Sequence, residues 1–361
     1  MTHLPLPVPP VLLGPASRLY GSLARWRRRR ASRPDGRGLT LRRPVISVGN
    51  LAVGGSGKTP VVAALAEWLR DQGEHPAILS RGYARARCEE GAVVVRTRDE
   101  VLAPLDVAGD EPLMLARRLD GVAVVVAADR HLAGCLAESR LGCTVHILDD
   151  GFQHFRLARD IDLLVVSAAD MKQERVLPAG RLREPLDAAA AADALLLTEG
   201  TLEEIEVVAD LLGVARRFQV HRTLRVPRMV DPWGAPPRQP RSAPVLAAAG
   251  IARPERFFDD LRAAEWNVVA TLAFGDHHRY TSQDVEAVAR RVAAAGATLV
   301  LTTEKDLVRW VPLAPLPFPL AWVPLEASIE PFGDFSGWLL EQLASARRDR
   351  PCNDRSTSRG D

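Results

Sequence analysis

Short apolar, β-branched runs alternate along the chain with longer segments of helical periodicity. Residues 45–49, 77–80, 122–128, 144–148, 161–166 and 194–198 read as strands. Several are apolar throughout, as expected of parallel strands covered on both faces, and the segments near 59–72, 111–119 and 129–140 have the length of crossover helices. The pattern predicts an α/β core domain over 44–215. Pro227, Pro232, Pro236, Pro237, Pro240 and Pro244 then cluster around two possible strands in 215–245, which suggests a hinge. A second, smaller α/β domain follows to about 329, with strands at 245–249, 268–272 and 298–302 and helices near 254–264 and 281–295. Beyond it, 330–343 could rejoin the core, and the Arg-, Ser- and Asp-rich tail 344–361 is expected to be disordered.

The first 43 residues differ from the rest. No apolar run approaches the roughly 18 residues of a membrane span, and the proline-bearing stretch 4–13 lacks the charge order and cleavage pattern of a secretory signal. From Pro15 onward, Ala16, Leu19, Tyr20, Leu23 and Trp26 fall near helical spacing, followed by Arg27 to Arg30. Such a helix suits either an anionic membrane surface or an ordinary first helix packed on the core with a solvated arginine run.

Charge sharpens the contrast. The 361 residues carry a net +2, yet residues 1–43 hold ten arginines against Asp35 alone, a local +9. The remainder, with 37 basic and 44 acidic residues, carries −7. A basic arm on an acidic body points to a polyanionic partner for the arm. Cys88, Cys135, Cys143 and Cys352 form no C-x-x-C or His-interleaved pattern, which argues against a disulfide scaffold or zinc module and fits a reduced, cytoplasmic setting.

Candidate chemistry sits where loops leave the expected strands. Gly54-Gly55-Ser56-Gly57-Lys58-Thr59 lies between a strand and a helix, the context in which backbone N–H groups and a helix N-terminus cradle phosphates. Lys58 would reach the β/γ-phosphates and Thr59 would ligate Mg²⁺, although the strict P-loop pattern wants glycine where the chain has Ala52. Asp149-Asp150 end another strand; adjacent carboxylates there suit a metal ion or a capped turn. Asp110 is either a functional acid or a helix cap, and His277-His278 either proton or metal chemistry or exposed turn residues. A guanine-reading GTPase is disfavoured, since Thr303-Glu304-Lys305-Asp306 has its lysine adjacent to the aspartate. A membrane-surface ATPase of the partitioning or metallochaperone type remains the alternative, though Val53 stands where the partitioning ATPases carry a second lysine.

Taken in order, Gly49-Asn50, the glycine loop with Pro60, Ser80-Arg81-Gly82-Tyr83, Gly109-Asp110-Glu111-Pro112, Asp149-Asp150-Gly151-Phe152-Gln153-His154, Pro178 to Pro185, Asp276-His277-His278 and Thr302 to Asp306 resemble the tetraacyldisaccharide 4'-kinases of lipid A synthesis. The departures are Leu51-Ala52 in place of a β-branched pair and the polar tail. The resemblance implies a P-loop NTPase-like parallel core, a second lobe on a two-stranded hinge, and a peripheral N-terminal helix on the cytoplasmic face of the inner membrane. It implies Mg-ATP as phosphoryl donor and a lipid acceptor, tetraacyldisaccharide 1-phosphate, with no nucleic acid or obligate protein partner. By the same resemblance, Gly54, Gly55, Ser56, Gly57, Lys58 and Thr59 hold ATP. Thr59, Asp149, Asp150 and Glu184 are candidate metal ligands, and Asp110 with His277 is the candidate proton acceptor. Asn50, Arg81, Tyr83, Gln153, His154, Arg183 and Asp276 would face the acceptor.

Overall fold

The computed structural model describes residues 10–31, 33, 38–55, 57–82, 85–87, 90–167, 171, 175–198, 200 and 202–350. Ser56 and Tyr83 lie outside them. The chain begins with α1 (Pro10–Ala31) and continues through β1 (Val45–Gly49), α2 (Lys58–Asp71), β2 (Pro76–Ser80), β3 (Ala92–Arg96), α3 (Leu105–Ala108), α4 (Asp110–Arg118), β4 (Ala123–Ala127), α5 (Arg130–Leu141), β5 (Val145–Asp149), β6 (Ile161–Val166), β7 (Ala194–Leu197), α6 (Leu202–Leu212) and β8 (Arg217–Leu224). These strands, with β14 (Leu325–Glu330), make a nine-stranded sheet in the order β14-β8-β7-β6-β1-β5-β2-β4-β3. It is parallel except at β3, antiparallel to β4, and β14, antiparallel to β8. Strands β1, β2, β4, β5, β6 and β7 are buried throughout, which is why they read as predominantly apolar runs, β4 and β7 without interruption. β1 lies between β5 and β6, so the chain leaves it in opposite directions and opens a crevice beyond its carboxyl end.

The second sheet takes the order β11-β10-β12-β13-β9, built from β9 (Arg228–Met229), β10 (Val245–Ala249), β11 (Val268–Ala273), β12 (Leu299–Thr303) and β13 (Leu320–Val323). Its helices are α7 (Pro254–Ala263), α8 (Ser282–Ala295) and α9 (Glu304–Trp310). Only β9 runs antiparallel, and residues 228–229 are all of it. The chain leaves the core along β8 and returns along β14, and these two strands pair over six residues from Gln219 to Leu224. They form the two-stranded connection between lobes.

The last helix, α10 (Phe332–Arg348), corrects the expectation of a disordered tail from Ala344. Phe335, Trp338, Leu339 and Leu343 join the core cluster that contains Ile46, Val48 and Phe218, with the Phe335 and Phe218 rings 5.1 Å apart edge to face. Ala346 is buried, and Arg350 Nη2 reaches Asp160 Oδ2 at 2.6 Å. The polar composition of 344–350 marks the solvent face of a docked helix. Residues 351–361 lie outside the described set.

Candidate active site

A cavity of about 920 Å³ opens at the carboxyl ends of β1 and β5 and is walled by both lobes and by α1. Its floor is the glycine loop. Gly57 adopts φ +81°, a left-handed conformation that turns the chain into α2, and Gly54 has φ +104°. A Cβ on Gly54 would lie 2.3 Å from Arg181 Nη2. Arg181 in turn donates to Val53 O at 2.6 Å, and Arg183 N donates to Leu51 O at 2.6 Å, so the 178–185 segment braces the loop from behind.

Asp149 stands opposite Val48 in the β1–β5 register, which brings the acidic strand end beside the glycine loop. Burial pushes its carboxyl well above the usual range, and the nearby Glu111 and Asp150 charges add to this; Lys58 and a 3.3 Å bond from Ser80 Oγ oppose it. Asp150, at φ +54°, takes Lys58 Nζ at 3.2 Å and Arg183 Nη1 at 2.7 Å. Burial alone would raise it, but Lys58 and Arg183 outweigh that cost and hold it below the usual carboxylate range. With the Thr59 hydroxyl also on the wall, the donor set is all oxygen, and a cation would relieve the charge buried on Asp149. These residues fit Mg²⁺.

Glu184, the remaining candidate of the set, also lines the cavity but is engaged by the N-terminal helix. Both its oxygens accept from Arg28, at 2.7 and 2.8 Å, and the pair is almost wholly buried. Arg28 also donates to Phe152 O at 3.2 Å and lies over the Phe152 ring at 4.2 Å. Glu184 thus anchors α1 from the cavity wall, with both its oxygens engaged by Arg28. Asn50, expected to face the acceptor, instead is 1 % exposed, does not line the cavity, and donates Nδ2 to Ala52 O at 2.6 Å, closing its own loop. Gln153 donates to Asn50 O at 2.9 Å.

Arg81, Gln153, His154 and Arg183 do line the cavity, joined by Arg130, which the sequence reading passed over. Arg130 opens α5 immediately after the Asp129 cap at the end of β4, a strand-end position that could have marked it. Across the cavity, His277 in the loop after β11 turns Nδ1 to Asp110 Oδ2, 2.8 Å away on the first residue of α4. Asp110 is buried behind the imidazole, while His277, Asp276, Glu111 and Lys305 face the cavity. Two residues separated by 167 positions, one on α4 of the core and one in a loop of the second lobe, are thereby one hydrogen-bonded pair.

A profile of the family described as tetraacyldisaccharide-1-P 4'-kinase matches residues 10–344. The chain belongs to this family. A tetraacyldisaccharide 4'-kinase of Koribacter versatilis is 39% identical over 82% of this chain and 88% of its own length. One of Geobacter sulfurreducens is 39% identical over 89% and 92%. Among solved structures, LpxK from Aquifex aeolicus in complex with ATP aligns with a TM-score of 0.76 at 32% identity, covering 92% of this chain and 99% of the other. Kinase chemistry on a P-loop core is therefore the family's, and the partitioning-type alternative falls away.

His154 supplies a pH test of the cavity wall. Burial, with the Arg130 charge next in size, lowers its pKa from 6.5 to about 4. As pH falls through 6.5, the unfolded chain gains a proton that the folded chain refuses until about 4, so this residue's contribution is full above 6.5 and is lost between those values. Denaturant unfolding at about pH 7.5 and about pH 5 should show the wild type losing stability relative to His154→Gln at the lower pH. An unchanged difference would contradict a buried neutral imidazole.

Proposed function

We propose that this chain transfers the γ-phosphoryl group of ATP to the 4'-hydroxyl of tetraacyldisaccharide 1-phosphate, working peripherally on the cytoplasmic face of the inner membrane. The observation that carries the reading is the Asp110–His277 pair at one wall of a cavity whose floor is the glycine loop. Backbone N–H groups of Gly54 to Gly57 and the Lys58 ammonium hold the phosphates, where the charge of the transferring group spreads over its oxygens. Thr59 with Asp149 and Asp150 would hold Mg²⁺, which when bound offsets phosphate charge. Arg81, Arg130 and Arg183 give the same cavity a cationic side for the anionic acceptor. The acceptor oxygen forms its bond to γ-phosphorus as the bond to the β-bridging oxygen breaks and ADP leaves. The hydroxyl proton passes to His277, whose ring Asp110 orients through Nδ1. Water is excluded because the base and the phosphate floor belong to different lobes.

The arm supports the membrane side of this reading. Leu19, Leu23 and Trp26 are more than half exposed along one face of α1, and Tyr20, Leu23, Ala24 and Arg27 reach the cavity. Ser17 and Gly21 make the opposite, packed face, where Ser17 Oγ donates to Val176 O at 3.0 Å. Among the described residues no helix is long and apolar enough to cross a membrane. An apolar stripe flanked by Arg25, Arg27, Arg29 and Arg30 suits the headgroup layer of an anionic bilayer, where each basic residue contributes about 1 kcal/mol. It also lets acyl chains stay in the lipid while the sugar enters the cavity.

With γ-labelled ATP and tetraacyldisaccharide 1-phosphate in detergent micelles, label should move to the lipid, and Lys58→Ala should abolish the transfer without unfolding the chain. Label released only as inorganic phosphate would contradict a lipid kinase. Replacing Arg27, Arg29 and Arg30 by Gln should weaken sedimentation with anionic vesicles, most visibly at low salt. Vesicle binding unmoved by that change would return α1 to a purely structural helix.

A further inference from the structure

One imidazole is held at both nitrogens. Asp110 Oδ2 lies 2.8 Å from Nδ1 of His277, and Lys305 Nζ lies 3.3 Å from Nε2. An ammonium has three hydrogens and no lone pair, so it can only donate. Although Asp276 Oδ1 stands 3.9 Å from the same nitrogen, the closer contact at Nε2 is the ammonium, which asks for a lone pair there and leaves the ring proton of a neutral imidazole on Nδ1, where the Asp110 carboxylate accepts it. Lys305 is itself fixed: Glu111 Oε1 is 3.2 Å and Asp276 Oδ1 3.5 Å from its nitrogen, and its side chain is 19 % exposed. Glu111 stands on α4 of the core, Lys305 on α9 of the second lobe. Arg309 Nε at 3.5 Å from Asp110 and the 3.3 Å Arg118–Glu304 pair tie the same two helices. The ammonium therefore reaches Nε2 through an ion pair that spans the lobes.

We propose that Lys305 is a positioning residue that fixes the Nδ1–H tautomer of His277 and so presents a lone pair at Nε2 to the acceptor hydroxyl. The proposal rests on the proton-acceptor role given above to the Asp110–His277 pair. In the other tautomer, Nδ1 would turn a lone pair toward a carboxylate and Nε2 would offer a hydrogen to a hydroxyl that must lose one. When the acceptor enters, its hydroxyl takes the place of the ammonium at Nε2, and Glu111 with Asp276 keeps the charge alongside. Lys305 neither receives the proton nor touches the phosphate floor in this account; it acts through the ring.

The test joins a spectroscopic to a kinetic readout on the full chain. With ¹⁵N-labelled histidine, the His277 signals, assigned by their loss in His277→Asn, should report Nδ1–H in the wild type and in Lys305→Arg. In Lys305→Met they should shift toward Nε2–H. Lys305→Met should lower kcat on the order of 10–100-fold with the KM for ATP nearly unchanged, and Lys305→Arg should recover most of the loss. Glu111→Gln, which frees one anchor of the ammonium, should shift both readouts the same way by less, and serves if Lys305→Met does not fold. An Nδ1–H ring unchanged in Lys305→Met, or a loss confined to KM, would overturn the proposal. Full activity of Asp110→Asn would instead remove the reading on which it rests.

Discussion

The hydrogen bond between Asp110 and His277 is the constraint around which the two lobes are arranged. It can exist only if α4 of the nine-stranded sheet and the loop after β11 of the second sheet come together. The β8–β14 ribbon gives the second lobe a two-stranded tether, and α10 returns beyond it to pack Phe335 against Phe218 on β8 itself. On the proposed reading the proton acceptor is divided between the two lobes, so that its assembly and the exclusion of water from the phosphate go together.

The same economy of contacts links the arm to the site. Arg28 spends its guanidinium on Glu184, on the Phe152 carbonyl and on the Phe152 ring, and Phe152 stands two residues after Asp150. Removing one member of so buried a pair typically costs about 3–5 kcal/mol, because the partner's charge is left without compensation. The loop that carries Asp149 and Asp150 is thus built against α1 through Phe152 and Arg28.

What could be read from the sequence was what is local. Glycine spacing, a lysine at a helix start and paired carboxylates at a strand end are chemical requirements met within a few residues, so the loop at 54–59 and the Asp149–Asp150 turn stood out. The strands 45–49 and 161–166 were legible because burial on both faces leaves them mostly apolar, each interrupted by one polar residue, Ser47 and Asp162. β8 and β14 were harder, since each has a partly exposed edge and a mixed pattern. Contacts made across great sequence separation could not be read from the residues themselves: the Asp110–His277 pairing came only with the family resemblance, and nothing near Glu184 names Arg28, 156 residues away, as its partner. Asn50 looked like a contact residue, yet its amide closes a turn two residues long. The tail's charges suggested disorder, although Leu339, Leu343 and Ala346 keep helical spacing and are buried.

The central claim is that Asp110 and His277 act as one proton-accepting unit assembled by closure, and a double-mutant cycle on kcat tests it most directly. Asp110→Ala and His277→Ala should each lower kcat by about 10²–10⁴ with little change in ATP affinity. The double variant should fall scarcely below the worse single one, since either change already disables the unit. Losses that multiply in the double variant would mean the two residues act separately, and Asp110 would then be the cap of its helix and no more.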